Sequence, residues 1–411
     1  MSVGKNILVY WDQLASSPEL FGVLTVQNIR NKEVFSFAFD ESWLKRHPDY
    51  RCLDPELQFY GGTQFTGKVN FGLFMDSAPD RWGRKLMMRR EAIRARKANE
   101  KPRVLLESDY LLGVYDETRM GALRFKLTET DVFLNDNAAM AAPPWARLRE
   151  LEEASRNLEN DTLTSEHEKW LAVLMAPGSS LGGARPKASI TSPKGELWIA
   201  KFPSKRDVGN TSAWEYATMQ MARDAGLNTP EVKLETFSRN GSTFLSRRFD
   251  RLNGQRIHFA SAMTLLGKND GDNENSYLEL AEFIVSQGAS PQEDLAELWK
   301  RIVFSIAVSN TDDHLRNHGF LLTPHGWRLS PVYDLNPNPE GTGLSLNITE
   351  DDNSLDYELA LEIAPYFRLN ANEASTILRS IQQVVTNWRG YARRNGISNA
   401  DMDQMAPAFN V

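Results

Sequence analysis

The sequence predicts an α+β protein with a strand-rich N-terminal lobe, a small β lobe and a mostly helical C-terminal lobe. Three observations carry this expectation. Within about the first 60 residues, β-rich runs such as ILVYW and GVLTV occur. There, too, Phe35, Phe37 and Phe39 alternate with Ser36 and Ala38, the two-residue period of half-buried strands. Strand-like runs return at KASIT, LWIAKFP and TFLSRRF. Beyond about Ser261 the apolar residues fall at helical spacing instead. The expected segments are 1–165, 166–260 and 261–411.

In chain order, the period turns helical from about Asn70, breaks at Ser77-Ala78-Pro79 and then runs strongly basic, as a solvated helix face does. Residues 136–147 (DNAAMAAPPWAR) read as a linker. A short helix-like segment, HEKWLAVLMA, stops at Pro177-Gly178 and precedes a glycine-containing loop, GSSLGGARPK. After the strands KASIT and LWIAKFP, residues Trp214, Thr218, Met221 and Ala225 mark one helix, which Gly226 ends. Ser290-Pro291-Gln292-Glu293 reads as a capping box with proline at the first helical position. Leu295, Leu298, Trp299, Ile302, Val303 and Ile306 then form one apolar stripe that stops at Ser309-Asn310. The exit loop, TDDHLRN, is thus a polar cluster delivered by a packed helix, a favourable place for chemistry.

A net charge of −7 makes the chain a poor binder of DNA on its own. One cysteine, Cys52, excludes an intramolecular disulfide and a cysteine-based zinc site, and suits a reducing compartment. The apolar run near the N-terminus is shorter than the roughly 7–15 residues of a signal-peptide core. WLAVLMA is far below the roughly 20 residues of a membrane span. The expectation is a cytoplasmic protein without a membrane partner.

Three constellations carry chemistry. In SLGGARPK, adjacent glycines let backbone N–H groups turn inward toward a phosphate, and Arg185 or Lys187 adds charge, although the Walker A spacing is absent. Taken alone, this stretch also fits a plain turn. Lys201 sits in an apolar strand and Glu215 in the following helix; such a pair can hold a lysine against the α- and β-phosphates of a nucleotide, and a snorkelling edge lysine fits equally well. Asp312 has Asn317 five residues on and Asp334 seventeen beyond that. In a kinase catalytic loop an aspartate accepts the proton of the attacking hydroxyl, and an asparagine and a later aspartate hold the magnesium.

Together these motifs resemble the HipA family of bacterial serine/threonine kinases, the toxins of HipBA-type toxin–antitoxin pairs. PDRWGRKLM and SDYLLGVYDETRMGALRF resemble the family's N-terminal domain, SLGGARPK its loop, SRRFDR its hinge strand, TDDHLRN its catalytic loop, SPVYDLNP its metal-binding segment and GLSLNI the short segment beyond. The resemblance implies a protein-kinase-like (HipA-like) fold that uses ATP and Mg2+. It makes Asp312 the general base and Asn317 and Asp334 the metal ligands. Lys201, with Glu215, becomes the phosphate lysine, and Gly182, Gly183, Ala184, Arg185, Pro186 and Lys187 the loop around the phosphates. Arg247, Arg248 and Phe249 would meet adenine through their backbone, with His314 and Tyr333 lining the same site. Ser180, or Ser179 beside it, falls on the inhibitory autophosphorylation site. A phosphoserine there adds about −1.5 to −2 charges to a loop meant for anions.

The family further implies a HipB-like helix-turn-helix antitoxin as partner, DNA contact only through that complex, and aminoacyl-tRNA synthetases among protein substrates. Two positions depart from the pattern. Asp313 stands where glycine is usual, either raising the pKa of the base or facing solvent. Arg247 stands where glutamate is usual. Two other readings stay open: a kinase-fold co-repressor acting through an antitoxin, and a metal-dependent phosphohydrolase built on Asp312-Asp313-His314. The second lacks ligands, because His47, His167, His258 and His325 are scattered, leaving only the His314–His318 pair.

Overall fold

The computed structural model describes residues 4–411 except positions 31, 51, 161–173, 175–182, 184 and 273. The chain divides into two compact units, Met1–Ser204 with Asp250–Ala260, and Lys205–Phe249 with Ser261–Val411. The segment 166–260 is therefore shared between the two units. The helix expected at HEKWLAVLMA, and Ser179, Ser180, Gly182 and Ala184, lie outside the described residues.

The first unit is built on an antiparallel sheet in the order β4-β3-β2-β1-β5, with β1 Lys5–Trp11, β2 Glu19–Ile29, β3 Lys32–Phe39, β4 Gln64–Phe65 and β5 Leu123–Lys126. Ile7, Val9 and Trp11 of β1 and Phe35, Phe37 and Phe39 of β3 are buried, as the alternation predicts. Gly22 is needed where β2 crosses β3, since a Cβ there would lie 2.3 Å from the Ala38 carbonyl oxygen. Helix α1 (Arg81–Lys97) is the expected basic helix. Its charge is partly answered by Glu107, which binds Arg84 at 2.5 and 2.6 Å, and by Glu91 on Arg94.

Residues 136–147 are not a free linker. Met140 is fully buried, the Pro143 carbonyl accepts from Thr191 N, and Trp145 meets Trp198 edge-on at 5.3 Å. Apolar side chains at these small-residue positions find a surface to cover: the hairpin of β6 (Lys187–Thr191) and β7 (Leu197–Lys201). Residues 250–260 also belong here. Asp250 is fully buried and accepts from Gly121 N at 2.9 Å, so the SRRFDR motif ends inside the first unit.

The second unit is mainly helical. Helix α2 (Thr211–Asp224) buries Trp214, Thr218 and Met221, and Gly226 follows at φ +82, the left-handed conformation that glycine permits. It packs on β9 (Gly241–Arg247), paired antiparallel with β8 (Val232–Ser238). Helices α3 (Tyr277–Gln287) and α4 (Pro291–Ala307) lead to a hairpin of β10 (Gly319–Thr323) and β11 (Gly326–Leu329). All six apolar-stripe residues of α4 are fully buried. The capping box does not form, because Ser290 makes no side-chain cap bond and Glu293 binds Arg328 at 2.8 Å instead.

Candidate active site

The exit from α4 is a short turn held almost wholly by amide groups. Ser309 adopts a left-handed φ of +47, and Asn410 Nδ2 reaches it at 3.1 Å while also capping the Ile306 carbonyl at 2.8 Å. Asn310 is 1% exposed and its Oδ1 accepts from Asn336 N at 3.1 Å. Asn338 Nδ2 donates to Thr311 Oγ1 at 2.7 Å, and Asn338 N to the Ser309 carbonyl at 3.1 Å. These bonds sew the 309–317 turn to the 334–338 segment, although more than 20 residues separate them. Gly341 is required nearby, since a Cβ there would lie 2.4 Å from Thr311 Cγ2.

Within this frame Asp312 is exposed. Asn317 is 5% exposed; its Nδ2 donates to the Asp312 carbonyl at 2.8 Å, fixing the amide, while its buried Oδ1 accepts no hydrogen bond. A buried acceptor without a donor costs about 1–3 kcal/mol. A cation would meet that need. Asp334 sits close in sequence to the sewn segment, at φ +59, with Oδ1 accepting from Asn336 Nδ2 at 3.2 Å. An amide oxygen and a carboxylate are hard oxygen donors of the kind Mg2+ takes together with substrate phosphates, so these residues fit that ion. Tyr333 OH donates to the Arg316 carbonyl at 2.7 Å, and its ring lies 5.8 Å from that of Phe249. His314 keeps a buried Nδ1 with no partner.

Asp313 corrects the expectation of a second carboxylate acting on the base or facing water. It is 4% exposed. Tyr277 OH donates to Oδ2, Ser305 Oγ reaches the same oxygen at 3.3 Å, and His318 Nε2 lies 3.0 Å from Oδ1. Burial alone would push this carboxyl up, but His318, the Tyr277 hydroxyl and His314 outweigh it and hold the group below its ordinary value. The His314–His318 metal pair is not assembled, because His318 faces Asp313 and the Tyr277 ring. Among the described residues no cluster of three His, Cys, Asp or Glu side chains could hold a metal.

The other predicted residues fall into both units. In the second, Glu215 is 1% exposed on α2, Arg247 is exposed beside Glu231 with its N–H on the Glu231 carbonyl, and Arg248 is 3% exposed. In the first, Lys201 ends β7 directly opposite Lys187 on β6. Lys187 is paired with Asp80 at 2.7 Å, and Arg185 Nε donates to the Phe202 carbonyl at 3.0 Å. Pro186 accepts from Phe202 N, and Gly183 takes φ +98. Sequence reasoning missed Asn310, Asn336, Asn338, Tyr277 and Asp80. The density of asparagine in SNT and DLNPNP was a signal for the first three; nothing local marked Tyr277.

Comparison with known proteins bears on this geometry. Residues 179–388, just over half of the chain, match the model of the HipA-like C-terminal domain. A Haemophilus influenzae protein named "Putative kinase" is 29% identical over 189 residues, covering 40% of this chain and 54% of that protein. A Sinorhizobium fredii protein named "Putative kinase Y4dM" is 30% identical over 159 residues, 34% of this chain and 37% of its own length. The chain thus spans about half or less of the curated relatives it matches. Among solved structures, HipA from the Shewanella oneidensis MR-1 HipA, HipB and operator DNA complex superposes with a TM-score of 0.68. It is 15% identical, and the match covers 98% of this chain and 94% of that one. At that identity the likeness establishes the fold, which is α+β and HipA-like. With the match over residues 179–388, it follows that the chain belongs to the HipA-like C-terminal domain family.

Proposed function

We propose that this chain is an ATP- and Mg2+-dependent protein kinase that phosphorylates serine or threonine of a protein. The observation that carries this reading is the buried Asn317 Oδ1, held without a partner five residues from the exposed Asp312. Asp312 takes the proton of the attacking hydroxyl as its oxygen bonds to the γ-phosphorus. The bond from that phosphorus to the β–γ bridging oxygen breaks, and ADP leaves with the electron pair. Asn317 Oδ1 and the Asp334 carboxylate hold Mg2+, whose charge neutralises phosphate oxygens when it is bound. Lys201 keeps its assignment to the α- and β-phosphates, with Glu215 as its carboxylate. Most of the catalytic effect is positioning and electrostatics.

The same reading gives the chain an inhibitory autophosphorylation at Ser180, with Ser179 as the alternative, and a protein substrate of the aminoacyl-tRNA synthetase class. It also gives it a HipB-like antitoxin through which DNA is contacted. Support for the partner comes from the Shewanella HipA, which was solved with HipB and operator DNA. The net charge of −7 agrees with DNA contact falling to that partner.

Intact mass after incubation with Mg-ATP tests the reading. The unphosphorylated wild type should gain one phosphoryl group, Asp312→Gln none, and Ser180→Ala none unless Ser179 is the acceptor. A wild type that binds ATP yet gains no mass would favour the co-repressor.

A further inference from the structure

The PDRWGR turn has no part in the chemistry above, yet it grips the hairpin that carries both lysines. Asp80 Oδ1 caps α1 by accepting from Gly83 N at 2.8 Å. Its Oδ2 lies 2.7 Å from Lys187 Nζ, with the two side chains 5% and 8% exposed. Trp82 Nε1 donates to the Lys187 carbonyl at 3.1 Å. One turn therefore holds Lys187 by side chain and main chain at once. Gly83 makes this possible, since a Cβ there would lie 2.8 Å from Pro79 Cβ.

Lys187 and Lys201 are direct register partners across β6 and β7. Side chains so placed start about 4.5–5.5 Å apart on one face, where like charges repel. Asp80 answers one of the two charges, and it is Lys187 that it holds. A buried ammonium already tied to a carboxylate is a poor phosphate ligand, because approaching phosphate would meet the Asp80 charge as well.

We propose that Asp80 is a positioning residue for nucleotide binding: it holds Lys187 as a neutralised anchor of the hairpin, so that phosphate contact falls to Lys201. This moves Lys187 out of the phosphate-ligand set, and it rests on the kinase reading. It also gives the turn at 79–84 a task in the reaction, although it lies about 100 residues before the lysine it sets.

The test is a double-mutant cycle on the full chain: Asp80→Asn, Lys187→Met, both together, and Lys201→Met for reference. Mg-ATP affinity, the KM and kcat of autophosphorylation, and Tm are read on each. Each single variant should weaken Mg-ATP binding by on the order of tenfold, with KM moving more than kcat. The double variant should be no weaker than either single, since it removes both buried charges together. It also keeps the cycle informative if Asp80→Asn alone fails to fold. Lys201→Met should lose more than any of them. Wild-type or tighter binding by Asp80→Asn, beside weak binding by Lys187→Met, would make Lys187 a direct ligand and overturn the inference. Coupling in Tm without coupling in affinity would leave only a structural pair and overturn it equally. A wild type that binds no Mg-ATP would instead overturn the kinase reading itself.

Discussion

Two regions supply the chemistry, and they are fixed by opposite means. The 309–317 turn is sewn down by neutral amides: Asn310, Asn336, Asn338 and Asn410 hold its backbone without placing a charge beside Asp312. The β6–β7 hairpin, which sets two lysines directly opposite one another, is held by a buried carboxylate. A general base works through its own charge, so its frame does best with dipoles that leave that charge alone. Paired cations cannot be left uncompensated, so their frame has to be ionic. Asp312 and Asp313 repeat the contrast over a single peptide bond, one exposed for use and the other 4% exposed as an internal tether.

The largest effect should come from breaking that tether. Asp313→Asn would leave the Tyr277 hydroxyl and His318 facing an amide, at a cost of about 3–5 kcal/mol if the buried network behaves as an ion pair losing one partner. Thermal melting measures it, with Tyr277→Phe expected to recover part of the loss in the double variant. The carboxyl is held below its ordinary value, so its contribution is complete above about pH 4 and fades as pH falls through the lowered folded-state pKa. The acid limb of the stability profile should accordingly flatten in Asp313→Asn. An unchanged acid limb would mean that the tether contributes no charge-linked stability.

A smaller effect is expected on the amide side. Asn336→Ala removes the donor to Asp334 Oδ1 and should raise the Mg2+ concentration for half-maximal activity by about tenfold, the usual scale for a residue that orients a metal ligand. Stability should barely move. If Tm falls and the Mg2+ requirement does not, the amide frame is structural and the contrast between the two regions loses its functional meaning.

What could be read from the sequence followed from how local each signal was. The α4 stripe, the buried aromatic face of β3 and the Gly226 stop were legible because each depends on spacing within a few residues. The turn at 309–317 was legible as chemistry, because its side chains are crowded together. The role of Asp313 was not, since Tyr277 lies 36 residues away and no short-range pattern announces it. Asp80 and Lys187 are 107 positions apart, so PDRWGR could be noticed as a motif but not given a task. Residues 136–147 have the composition of a linker, yet Met140 and Trp145 find a surface that only tertiary packing provides.

The smallest expected effect concerns α4, whose two ends repeat the contrast. Its exit is held by Asn310 and Asn410, while at its entry Arg328 spans Asp294 and Glu293, and Asp294 Oδ2 accepts from Leu329 N at 3.1 Å. With Glu293 engaged there and no cap bond from Ser290, the serine hydroxyl contributes little to the helix start. Ser290→Ala should change stability by less than about 0.5 kcal/mol. Asn370 provides the contrast within the same unit: it accepts from Asn372 N and Glu373 N in a complete capping box, and Asn370→Ala should cost about 1 kcal/mol. Equal losses in the two variants would mean that the Ser290 box forms in solution. The entry to α4 would then owe its hold to capping, as Asn370 does, and the ionic half of the contrast would retreat to the lysine hairpin.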